Sequence, residues 1–504
     1  MLIIHPPLAR SCEPPAALAH LAAALRAKGL PCRVCDMNIE SLFSLLRTGT
    51  TANDTWSRRA DRNIQANLAK IRDPELFSNK SRYQRTVQDI NRVLAVSGKQ
   101  HGIALSLSNY QDKDLSPTRS GDLLKAAEHY AANIYFPYFS QRLIELLTEE
   151  PPSCIGLSLN YLSQANCTFA IIGFLKKHWP DIPIVMGGGL ITTWMRGPSW
   201  QNPFAGLIDL LIAGPGEGPL LAFLGAERPG DKPIPDYLGL RDLPYLAPGF
   251  ILPYAASSGC YWKKCAFCPE TSEENPYHPL SPQQVTEELG QLTAATHPRL
   301  LHFLDNAVSP TIMKELIRQP PGPEWYGFAR VSRHLTDPDF CRTLRQSGCV
   351  MLKLGIESGS QKVLENMHKG IDIGQVSAAL RVLHGAGIAT YVYLLFGTPS
   401  ESLAEARETL EFVRKHHREI TFLNLAIFNL PVGSIKADDL EITDRHQGDL
   451  SLYHDFRHPQ DWNRREIRHF LAAEFKCQPA VLPILQRDPP FFTSNHAAFF
   501  TGIA

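Results

Sequence analysis

The sequence predicts an α/β protein in which an open parallel-sheet domain is followed by a second, barrel-like series of strands and helices. Two observations predict this class. Short continuous apolar runs alternate with helix-length segments in both halves of the chain, and a stretch rich in proline and glycine separates the two series. The length of 504 residues agrees with about three domains.

The first series begins with the apolar run LIIHPP, the helical segment PPAALAHLAAALRAKGL and a second short run, CRVCDMN. The alternation resumes at CIGLSLN, IPIVMGGG and LIDLLIAG, each of which precedes a segment that can form a helix. Apolar strands of this kind are typical of a parallel sheet covered by helices on both faces. We therefore expect residues 1–47 and 151–225 to form one open, Rossmann-like domain.

Three further segments lack this alternation. Residues 48–150 are too long for an ordinary connection, so we expect a mostly helical insertion. Its aromatic side chains near residues 130–139 either contact a ligand or dock a helix on the sheet. We interpret residues 226–250, which are rich in proline, glycine and aspartate, as a linker, and residues 436–504 as an irregular C-terminal cap.

The second series contains five or six strand–helix pairs in succession, including LLHFLDN, EWYGFAR, VMLKLGIES, ATYVYLLFG and ITFLNLAIF. This succession predicts a partial or full (β/α) barrel of the TIM type over residues 251–435. Residues that act on a ligand lie at the carboxyl ends of the strands in such barrels. Polar residues that follow the predicted strands are therefore candidates for function.

The composition argues against several kinds of partner. Fifty Lys plus Arg balance fifty Asp plus Glu, so no bulk charge attracts nucleic acid. The start, MLIIHPPLARSCEPP, lacks the basic residues and apolar length of a signal peptide, and no later run reaches about 18 uncharged apolar residues. We expect a cytoplasmic protein that acts on a small molecule and binds neither nucleic acid nor a membrane.

Three of the 11 cysteines lie in one loop, AASSGCYWKKCAFCPE, after the first strand of the second series. Cys260, Cys265 and Cys268 have the spacing Cys-x4-Cys-x2-Cys. Three thiolates leave one iron of a [4Fe–4S] cluster open to a ligand, whereas tetrahedral zinc needs a fourth donor such as His278. The spacing alone is compatible with both metals.

Around this loop the sequence resembles the radical S-adenosylmethionine (SAM) superfamily. The loop ends the first barrel strand, SGCVMLKLGIESGSQKVLENMHKG is similar to the family's fourth-strand signature, and YVYLLFGTPSES is similar to its fifth strand. The order of these motifs favours the iron–sulfur cluster over zinc. The first spacing is one residue longer than the family's usual three, so no contacts are carried over for residues 261–264.

The resemblance implies that the open iron binds the amino and carboxylate groups of SAM. One electron from the cluster then releases methionine and a 5′-deoxyadenosyl radical, and a reductant such as flavodoxin or ferredoxin supplies that electron. The implied contacts to SAM are Phe267 near the adenine, Asp305 and Asn306 at the methionine ammonium, Arg330 at its carboxylate, Glu357 and Ser358 at a strand tip, and Gly397 near the adenine.

Glu357 and Arg330 are the candidate catalytic residues of this set. Several members also have a structural interpretation. Asp305 and Asn306 are equally typical of a cap after a strand, Arg330 of a solvated surface charge, and Gly397 of a plain turn.

The N-terminal series is similar to the cobalamin-binding domain that precedes the barrel in one large radical SAM class. The matching segments are PPAALAHLAAALRAKG, IGLSLN, IPIVMGGG and DLLIAGPGEGPLLAFL. Ligands of open α/β sheets lie beyond the carboxyl ends of the strands, where the candidate cobalamin contacts are Ser158, Asn160, Gly187, Gly188, Gly189 and Glu217. Considered alone, the glycine triplet is equally typical of a turn.

One element of corrinoid enzymes is missing. The motif Asp-x-His-x-x-Gly replaces the lower base of cobalamin in some of them, and the corresponding residues 36–41, DMNIES, have neither the histidine nor the glycine. We therefore expect no protein histidine to bind cobalt from below.

Together, the two resemblances predict a cobalamin-dependent radical SAM enzyme that methylates an unactivated carbon, or phosphorus, of a small molecule. One alternative is a radical SAM enzyme that catalyses a rearrangement or cyclisation without methyl transfer. Another is a non-enzymatic corrinoid-binding or metal-binding regulator. No motif indicates the substrate, and His496 is interpreted either as a substrate contact or as a packed residue of the cap.

Overall fold

In the computed structural model, the chain forms two compact units that divide between residues 250 and 251. The structure describes residues 1–49, 54–198, 200–227, 232–434, 440–443, 448–487 and 496–502. Parts of the predicted insertion (50–53), linker (228–231) and C-terminal cap (436–439, 444–447, 488–495 and 503–504) lie outside the described residues.

The first unit consists of residues 1–250 together with residues from the 448–452 segment. Its elements, in chain order, are β1 (Leu2–His5), α1 (Ala16–Arg26), β2 (Arg33–Asp36), α2 (Met37–Arg47), α3 (Thr55–Arg62), α4 (Ile64–Lys70), α5 (Lys80–Gln100), β3 (Ile103–Ser106), β4 (Asn109–Asp112), α6 (Ser120–Glu128), α7 (Phe136–Glu149), β5 (Ile155–Ser158), α8 (Leu162–His178), β6 (Ile184–Gly187), α9 (Gly189–Arg196), β7 (Leu210–Ile212) and α10 (Glu217–Phe223).

The central sheet of the first unit is parallel and has the strand order β2-β1-β5-β6-β7. Its strands read as continuous apolar runs because helices cover both faces, and Leu2, Ile3 and Ile155 have no exposed surface. The chain adds β2 on one side of β1 and then crosses to add β5 on the other. This reversal makes the carboxyl ends of β1 and β5 the switch point at which such sheets bind ligands.

The segment between β2 and β5 consists mainly of helices, with one antiparallel hairpin, β3–β4, that the sequence pattern did not indicate. Its aromatic side chains pack on α8. The ring of Phe174 lies 5.6 Å from Tyr130, 6.0 Å from Phe136 and 5.9 Å from Phe139, measured between centroids. These contacts support the interpretation in which the aromatics dock a helix.

The second unit consists of the described parts of residues 251–445 and 453–489, with residues 496–502. Its elements are β8 (Ile251–Tyr254), β9 (Ser257–Ser258), α11 (Pro269–Ser272), β10 (His278–Pro279), α12 (Pro282–Thr296), β11 (Leu300–Phe303), α13 (Pro310–Arg318), β12 (Glu324–Ala329), α14 (Pro338–Gln346), β13 (Cys349–Glu357), α15 (Gln361–Asn366), α16 (Ile373–Gly385), β14 (Ala389–Phe396), α17 (Leu403–Lys415), β15 (Phe422–Ile427), β16 (Leu430–Pro431), β17 (Tyr453–His454), α18 (Arg464–Phe470) and α19 (Leu482–Arg487).

Six of these strands form a parallel sheet in the order β15-β14-β13-β12-β11-β8. The order follows the chain without reversal, as repeated strand–helix pairs require, and β8 and β15 are the edges of a partial barrel. All six strands therefore end on the same side. No helix among the described residues is long and apolar enough to cross a membrane.

Described residues of the predicted cap pack against the last barrel strands. His496 is 1% exposed, and its ring centroid lies 5.3 Å from that of Tyr391 on β14 and 5.1 Å from that of Phe422 on β15. These contacts support the interpretation of His496 as a packed residue.

Gly173 of α8 is a point of close approach between the insertion and the sheet domain. A Cβ atom at this position would lie 1.8 Å from the carbonyl oxygen of Ala127 on α6. We expect Gly173→Ala to lower the free energy of unfolding by about 1–3 kcal/mol, because two helix backbones must move apart.

The control is Gly290→Ala on α12, where an added Cβ would meet nothing within 4 Å. This exchange should leave stability unchanged or raise it by up to about 1 kcal/mol, because alanine favours the helix. Denaturant unfolding monitored by circular dichroism measures both variants. Equal stability of the two variants would contradict the tight contact between α6 and α8.

Candidate functional site

The cysteine loop leaves the sheet at the carboxyl end of β8 and returns through a short hairpin. Ser257 and Ser258 of β9 pair with Pro279 and His278 of β10, so the loop closes at its base. Gly259 has φ +72, and a Cβ there would lie 2.3 Å from the carbonyl oxygen of Pro276. Only glycine fits at position 259, because the two ends of the loop come close together there. The side chain of His278, the donor considered for zinc, is exposed.

Asp305 and Asn306, which follow β11, hold the base of this loop. The buried carboxylate of Asp305 accepts hydrogen bonds from the backbone N–H of Ala256, at 3.0 Å, and from the hydroxyl of Ser257. Burial raises the pKa of Asp305, and these two donors oppose the rise. Asn306 donates to the carbonyl oxygen of Gly259 at 3.2 Å. Both residues thus fix the start of the cysteine loop, and their predicted contact with the methionine ammonium stays a prediction.

The three thiols are partly buried, and among the described residues they do not converge into a preformed metal-binding group. Burial raises the pKa of Cys265, and the charge of Cys260 adds to the rise, while Lys369 and Arg330 oppose it. Burial likewise raises the pKa of Cys268 to about 11, with a further contribution from Cys265. Positive charge next to Cys265 therefore favours the ionised form of its thiol.

Arg330, directly after β12, supplies part of this charge. Its guanidinium lies 3.7 Å above the ring centroid of Trp262 in the cysteine loop. It donates to the carbonyl oxygens of Lys369 and Gly370, the second at 2.7 Å. Burial lowers the pKa of Arg330, and Cys265, Tyr261 and Cys260 oppose that change. The side chain is therefore half-buried and fixed, unlike the solvated surface charge considered from the sequence.

Glu357 ends β13 and forms an ion pair with Lys369. Their Oε1 and Nζ atoms are 2.8 Å apart, and the side chains are only 12% and 11% exposed. A Cβ at Gly355 would lie 2.6 Å from Glu357 Oε1 and 3.0 Å from Lys369 Nζ, so this pair needs a glycine beneath it. Lys369 Nζ also lies 5.5 Å from the ring centroid of Phe267. The ammonium of Lys369 thus contacts both Glu357 at the end of β13 and Phe267 in the cysteine loop.

Two other predicted SAM contacts face protein side chains. Ser358 has no exposed surface, and its hydroxyl lies 3.1 Å from that of Thr409 on α17. Gly397 has φ +80, and a Cβ there would lie 2.4 Å from Cδ1 of Ile467 on α18. The serine hydroxyl thus joins β13 to α17, and the glycine admits a helix side chain. Their predicted roles toward SAM stay predictions.

The predicted cobalamin contacts of the first unit meet at one edge of its sheet. Ser158 and Gly187 are register partners at the ends of β5 and β6. Asn160 donates to the hydroxyl of Ser158 at 3.0 Å and accepts from the N–H of Gly189 at 3.0 Å. A Cβ at Gly188, which has φ +115, would lie 2.4 Å from the carbonyl oxygen of Leu159, whereas Gly189 is exposed and its nearest neighbour would be 3.8 Å away. Of these two glycines, Gly189 therefore leaves room for a ligand.

Arg10, in the loop after β1, and Tyr161, directly before α8, are two residues that the sequence analysis did not single out. Arg10 pairs with the buried Glu13 at 2.6 Å, and its pKa is raised, with Tyr161 among the groups responsible. Tyr161, at the start of α8, is 46% exposed although it is large and partly apolar. Glu217 lies farther along the edge, at the start of α10 beyond β7. No local sequence pattern identifies Arg10, because its position depends on the contact between the β1 loop and α8.

The sequence analysis also missed a polar pair inside the second unit. Lys353 of β13 is 2% exposed, and its Nζ lies 2.9 Å from His302 Nε2 of β11 and 4.3 Å from the ring centroid of Phe328. The signal was a lysine within the otherwise apolar run CVMLKLGIE. Lys353 and Gly355 lie on one face of β13, and the register with β14 shifts between Gly355 and Glu357.

The donor chemistry of both sites fits the groups considered from the sequence. Three thiols beside two cations suit a negatively charged iron–sulfur cluster. The carboxylate and ammonium of Glu357 and Lys369 complement the ammonium and carboxylate of an amino acid such as the methionine part of SAM. At the sheet edge, the exposed backbone of Gly189 permits a flat ligand to approach.

A series of parallel β/α pairs with a three-cysteine loop after its first strand defines a class of metal-dependent radical enzymes. Residues 254–413 match the model of the radical SAM superfamily. The match contains the cysteine loop, Arg330, Glu357 and Gly397. Residues 254–413 of the second unit are therefore similar to a radical SAM domain, and the resemblance seen in the sequence is confirmed.

Two curated relatives match part of the chain. The anaerobic magnesium-protoporphyrin IX monomethyl ester cyclase of Rubrivivax gelatinosus is 26% identical over 158 residues, 30% of this chain and 28% of the relative. An uncharacterized methyltransferase of Pyrococcus horikoshii is 26% identical over 193 residues, 36% of this chain and 41% of the relative. The matches thus span less than half of each relative.

Solved structures of the radical SAM methyltransferase TsrM from Kitasatospora setae have a similar fold. The form with cobalamin and a [4Fe–4S] cluster bound aligns at 15% identity and a TM-score of 0.52, over 85% of this chain and 75% of TsrM. The form with tryptophan and a SAM analogue aligns at 15% identity and a TM-score of 0.54, over 87% and 75%. The predicted fold class, a Rossmann-like sheet domain followed by a radical SAM barrel, is confirmed.

A surface cavity of about 670 Å³ in the second unit contains none of the predicted site residues. Its lining comes from the start of α17, from Trp462 before α18, and from α18 residues such as Arg465 and His469. We assign it no chemistry.

Glu401, in the turn after β14, provides a pH-dependent prediction. Burial raises its pKa to about 7, although the N–H groups of Gly397 and Trp462 donate to its Oε2 atom. A carboxyl whose pKa is higher in the folded than in the unfolded state stabilises the fold below pH about 4.5 and loses that contribution as pH rises through 7.

We therefore expect Glu401→Gln to be more stable than the wild type at pH 8, by up to about 3 kcal/mol, and to equal it near pH 4. Denaturant unfolding at both pH values measures the difference. Glu411→Gln, on the exposed face of α17, is the control and should track the wild type at each pH. A stability difference between Glu401→Gln and wild type that is the same at both pH values would argue against a buried, titrating Glu401.

Proposed function

We propose that this chain is a cobalamin-dependent radical SAM enzyme that cleaves SAM reductively and methylates an unactivated carbon, or phosphorus, of a small molecule. The observation that carries the proposal is the position of Cys265. It lies in the loop that follows the first strand of the segment matching the radical SAM model, and the charges of Lys369 and Arg330 both act to lower the pKa of its thiol. The whole-chain fold of TsrM, which binds cobalamin and a cluster, supports it.

Cys260, Cys265 and Cys268 would hold the [4Fe–4S] cluster. A bound cluster supplies one electron to SAM, which breaks the sulfonium C–S bond and gives methionine and a 5′-deoxyadenosyl radical. Arg330 and Lys369 compensate the thiolate charge, since both lower the pKa of Cys265. Asp305 and Asn306 hold the loop base and so orient Cys260.

Glu357 and Lys369 would bind the methionine part of SAM. The carboxylate of Glu357 accepts a hydrogen bond from an ammonium in the structure, and the SAM ammonium has the same chemistry. Glu357 has φ +70, a backbone conformation that non-glycine residues rarely adopt, and strain of this kind is concentrated at functional sites. Phe267 supplies an aromatic face beside this pair for the adenine.

The switch-point edge of the first unit would hold cobalamin. Bound cobalamin supplies the carrier for a methyl group taken from a second SAM molecule. Gly189, Asn160 and Ser158 contribute the backbone and amide groups at the edge, and residues 36–41 provide no histidine to bind cobalt. A small iron–sulfur or flavin protein, such as ferredoxin or flavodoxin, would deliver the electron.

The alternative is a radical SAM cyclase or another enzyme of rearrangement. The matching relative from Rubrivivax gelatinosus is described as a cyclase, which is the observation that favours it. The two proposals differ in the fate of the SAM methyl group. A methyltransferase passes that group to cobalamin or substrate, whereas a cyclase leaves it on methionine.

Cys265→Ala tests the radical chemistry. Anaerobically reconstituted wild type should bind about four irons per chain and release 5′-deoxyadenosine from SAM under dithionite. Cys265→Ala should release about 100-fold less, because the cluster loses one of three ligands. Cys477→Ala, an exposed cysteine outside the loop, is the matched control and should match wild type within about twofold. Wild type that binds zinc and no iron would overturn the proposal.

The same incubation with deuterium-labelled SAM and added cobalamin separates the alternatives. Label found on cobalamin by mass spectrometry supports methyl transfer. Label confined to methionine and unreacted SAM favours the cyclase.

Gly189→Leu tests the cobalamin site. The leucine side chain should cover the open edge and weaken cobalamin binding by about tenfold or more, because the backbone of Gly189 is exposed and unobstructed. The matched control is Gly121→Leu, at an exposed position of α6 with nothing within 4 Å. Absorbance titration with hydroxocobalamin measures both variants. Equal affinities would rule out this edge as the binding surface.

A further inference from the structure

The spacer between Cys260 and Cys265 has four residues, and the structure shows how they are accommodated. Lys263 adopts a left-handed backbone conformation with φ 50, which turns the chain back toward Cys265. The preceding residue, Trp262, is partly buried, whereas Lys263 and Lys264 are exposed. Its indole N–H donates to the carbonyl oxygen of His368 at 3.2 Å.

Arg330, Lys264 and Gly370 surround the Trp262 ring, and Lys264 Nζ lies 5.2 Å from its centroid. Arg330 lies over one face with its guanidinium carbon 3.7 Å from the ring centroid. The indole also reaches Gly370, where a Cβ would lie 2.2 Å from the Trp262 Cζ2 atom. Gly370 has φ +63, so a side chain at this position is excluded both by the indole and by the backbone. The indole thus packs against both the Arg330 guanidinium and the Gly370 backbone.

The same segment is joined to the spacer at two further points. The N–H of Ala266 donates to the carbonyl oxygen of Met367 at 3.0 Å. Arg330 donates to the carbonyl oxygens of Lys369 and Gly370, and its positive charge acts on the Cys265 thiol. Residues 367–370 therefore contact the cysteine loop on both sides of Cys265.

We propose that Trp262, Arg330 and the backbone of residues 368–370 form a clasp that positions Cys265 and holds Arg330 beside it. Trp262 is a positioning residue in this arrangement, because it acts on Cys265 through Arg330 and the spacer. The clasp consists only of contacts between protein residues and needs no bound cluster. Its effect on a cluster rests on the function proposed above.

The clasp has an electrostatic consequence. A cluster with three thiolate ligands becomes more negative on reduction, and a fixed guanidinium stabilises the more negative state. Loss of the indole removes the surface on which Arg330 stacks and lets the guanidinium move toward water. The reduction potential should then become more negative. The exchange of Trp for Phe keeps an aromatic face and should retain most of the effect.

Limited trypsin digestion of the full chain without metal tests the clasp directly. Trypsin cuts after Lys263 and Lys264, within the spacer. We expect Trp262→Ala to be cut there about tenfold faster than wild type, because the spacer opens more often, and Trp262→Phe to stay within about threefold. Trp56→Ala removes another indole that contacts an arginine, Arg92 at 4.9 Å in the first unit, and should leave spacer cleavage unchanged. Equal cleavage of Trp262→Ala and wild type would refute the clasp.

Dithionite titration of the reconstituted protein, followed by electron paramagnetic resonance, tests the effect on the cluster. The potential should become more negative for Trp262→Ala and for Arg330→Gln, and remain near that of wild type for Trp262→Phe. An unchanged potential in Trp262→Ala and Arg330→Gln would overturn the electrostatic part. Failure of wild type to bind iron would instead count against the proposed function, while the digestion result would still decide the clasp.

Discussion

The contact of Arg330 with Trp262 is the interaction on which the rest of the candidate site depends. Arg330 follows β12, Trp262 belongs to the loop after β8, and the carbonyl groups that Arg330 bonds follow β13. One guanidinium thus joins segments from three strand ends. One of those carbonyl groups belongs to Lys369, whose side chain pairs with Glu357, so Arg330 also holds the backbone that carries this ion pair. A guanidinium suits this place because it is planar, stays charged and donates in several directions at once.

Burial and nearby positive charge have opposite effects on the pKa of Cys265 in the cysteine loop. Burial raises the pKa of Cys265 and Cys268, so the folded loop without metal favours neutral thiols. Arg330 and Lys369 oppose this effect at Cys265 and provide positive charge before any metal arrives. Metal ligation requires thiolates, and binding therefore releases protons.

The sequence predicted both sheets, the cysteine loop and the position of Glu357, because these depend on local patterns: continuous apolar runs, close cysteines and a carboxylate after a strand. It predicted less about where side chains point beyond the strand ends. Ser358 faces α17 and Gly397 admits Ile467, contacts between elements far apart in the chain. Asp305 turns back to Ala256, about fifty residues earlier. The role of Trp262 was equally hidden, since nothing in the spacer YWKK indicates that an arginine after β12 will cover the indole.

The central claim is that Cys260, Cys265 and Cys268 hold a cluster with one iron open to SAM. Electron paramagnetic resonance of the anaerobically reconstituted, dithionite-reduced chain, recorded with and without SAM, tests this most directly. The reduced chain should give the signal of a single [4Fe–4S] cluster whose g-values change when SAM is added, because SAM would bind the open iron. A chain that holds zinc and gives no cluster signal, or a cluster whose spectrum SAM leaves unchanged, would contradict it.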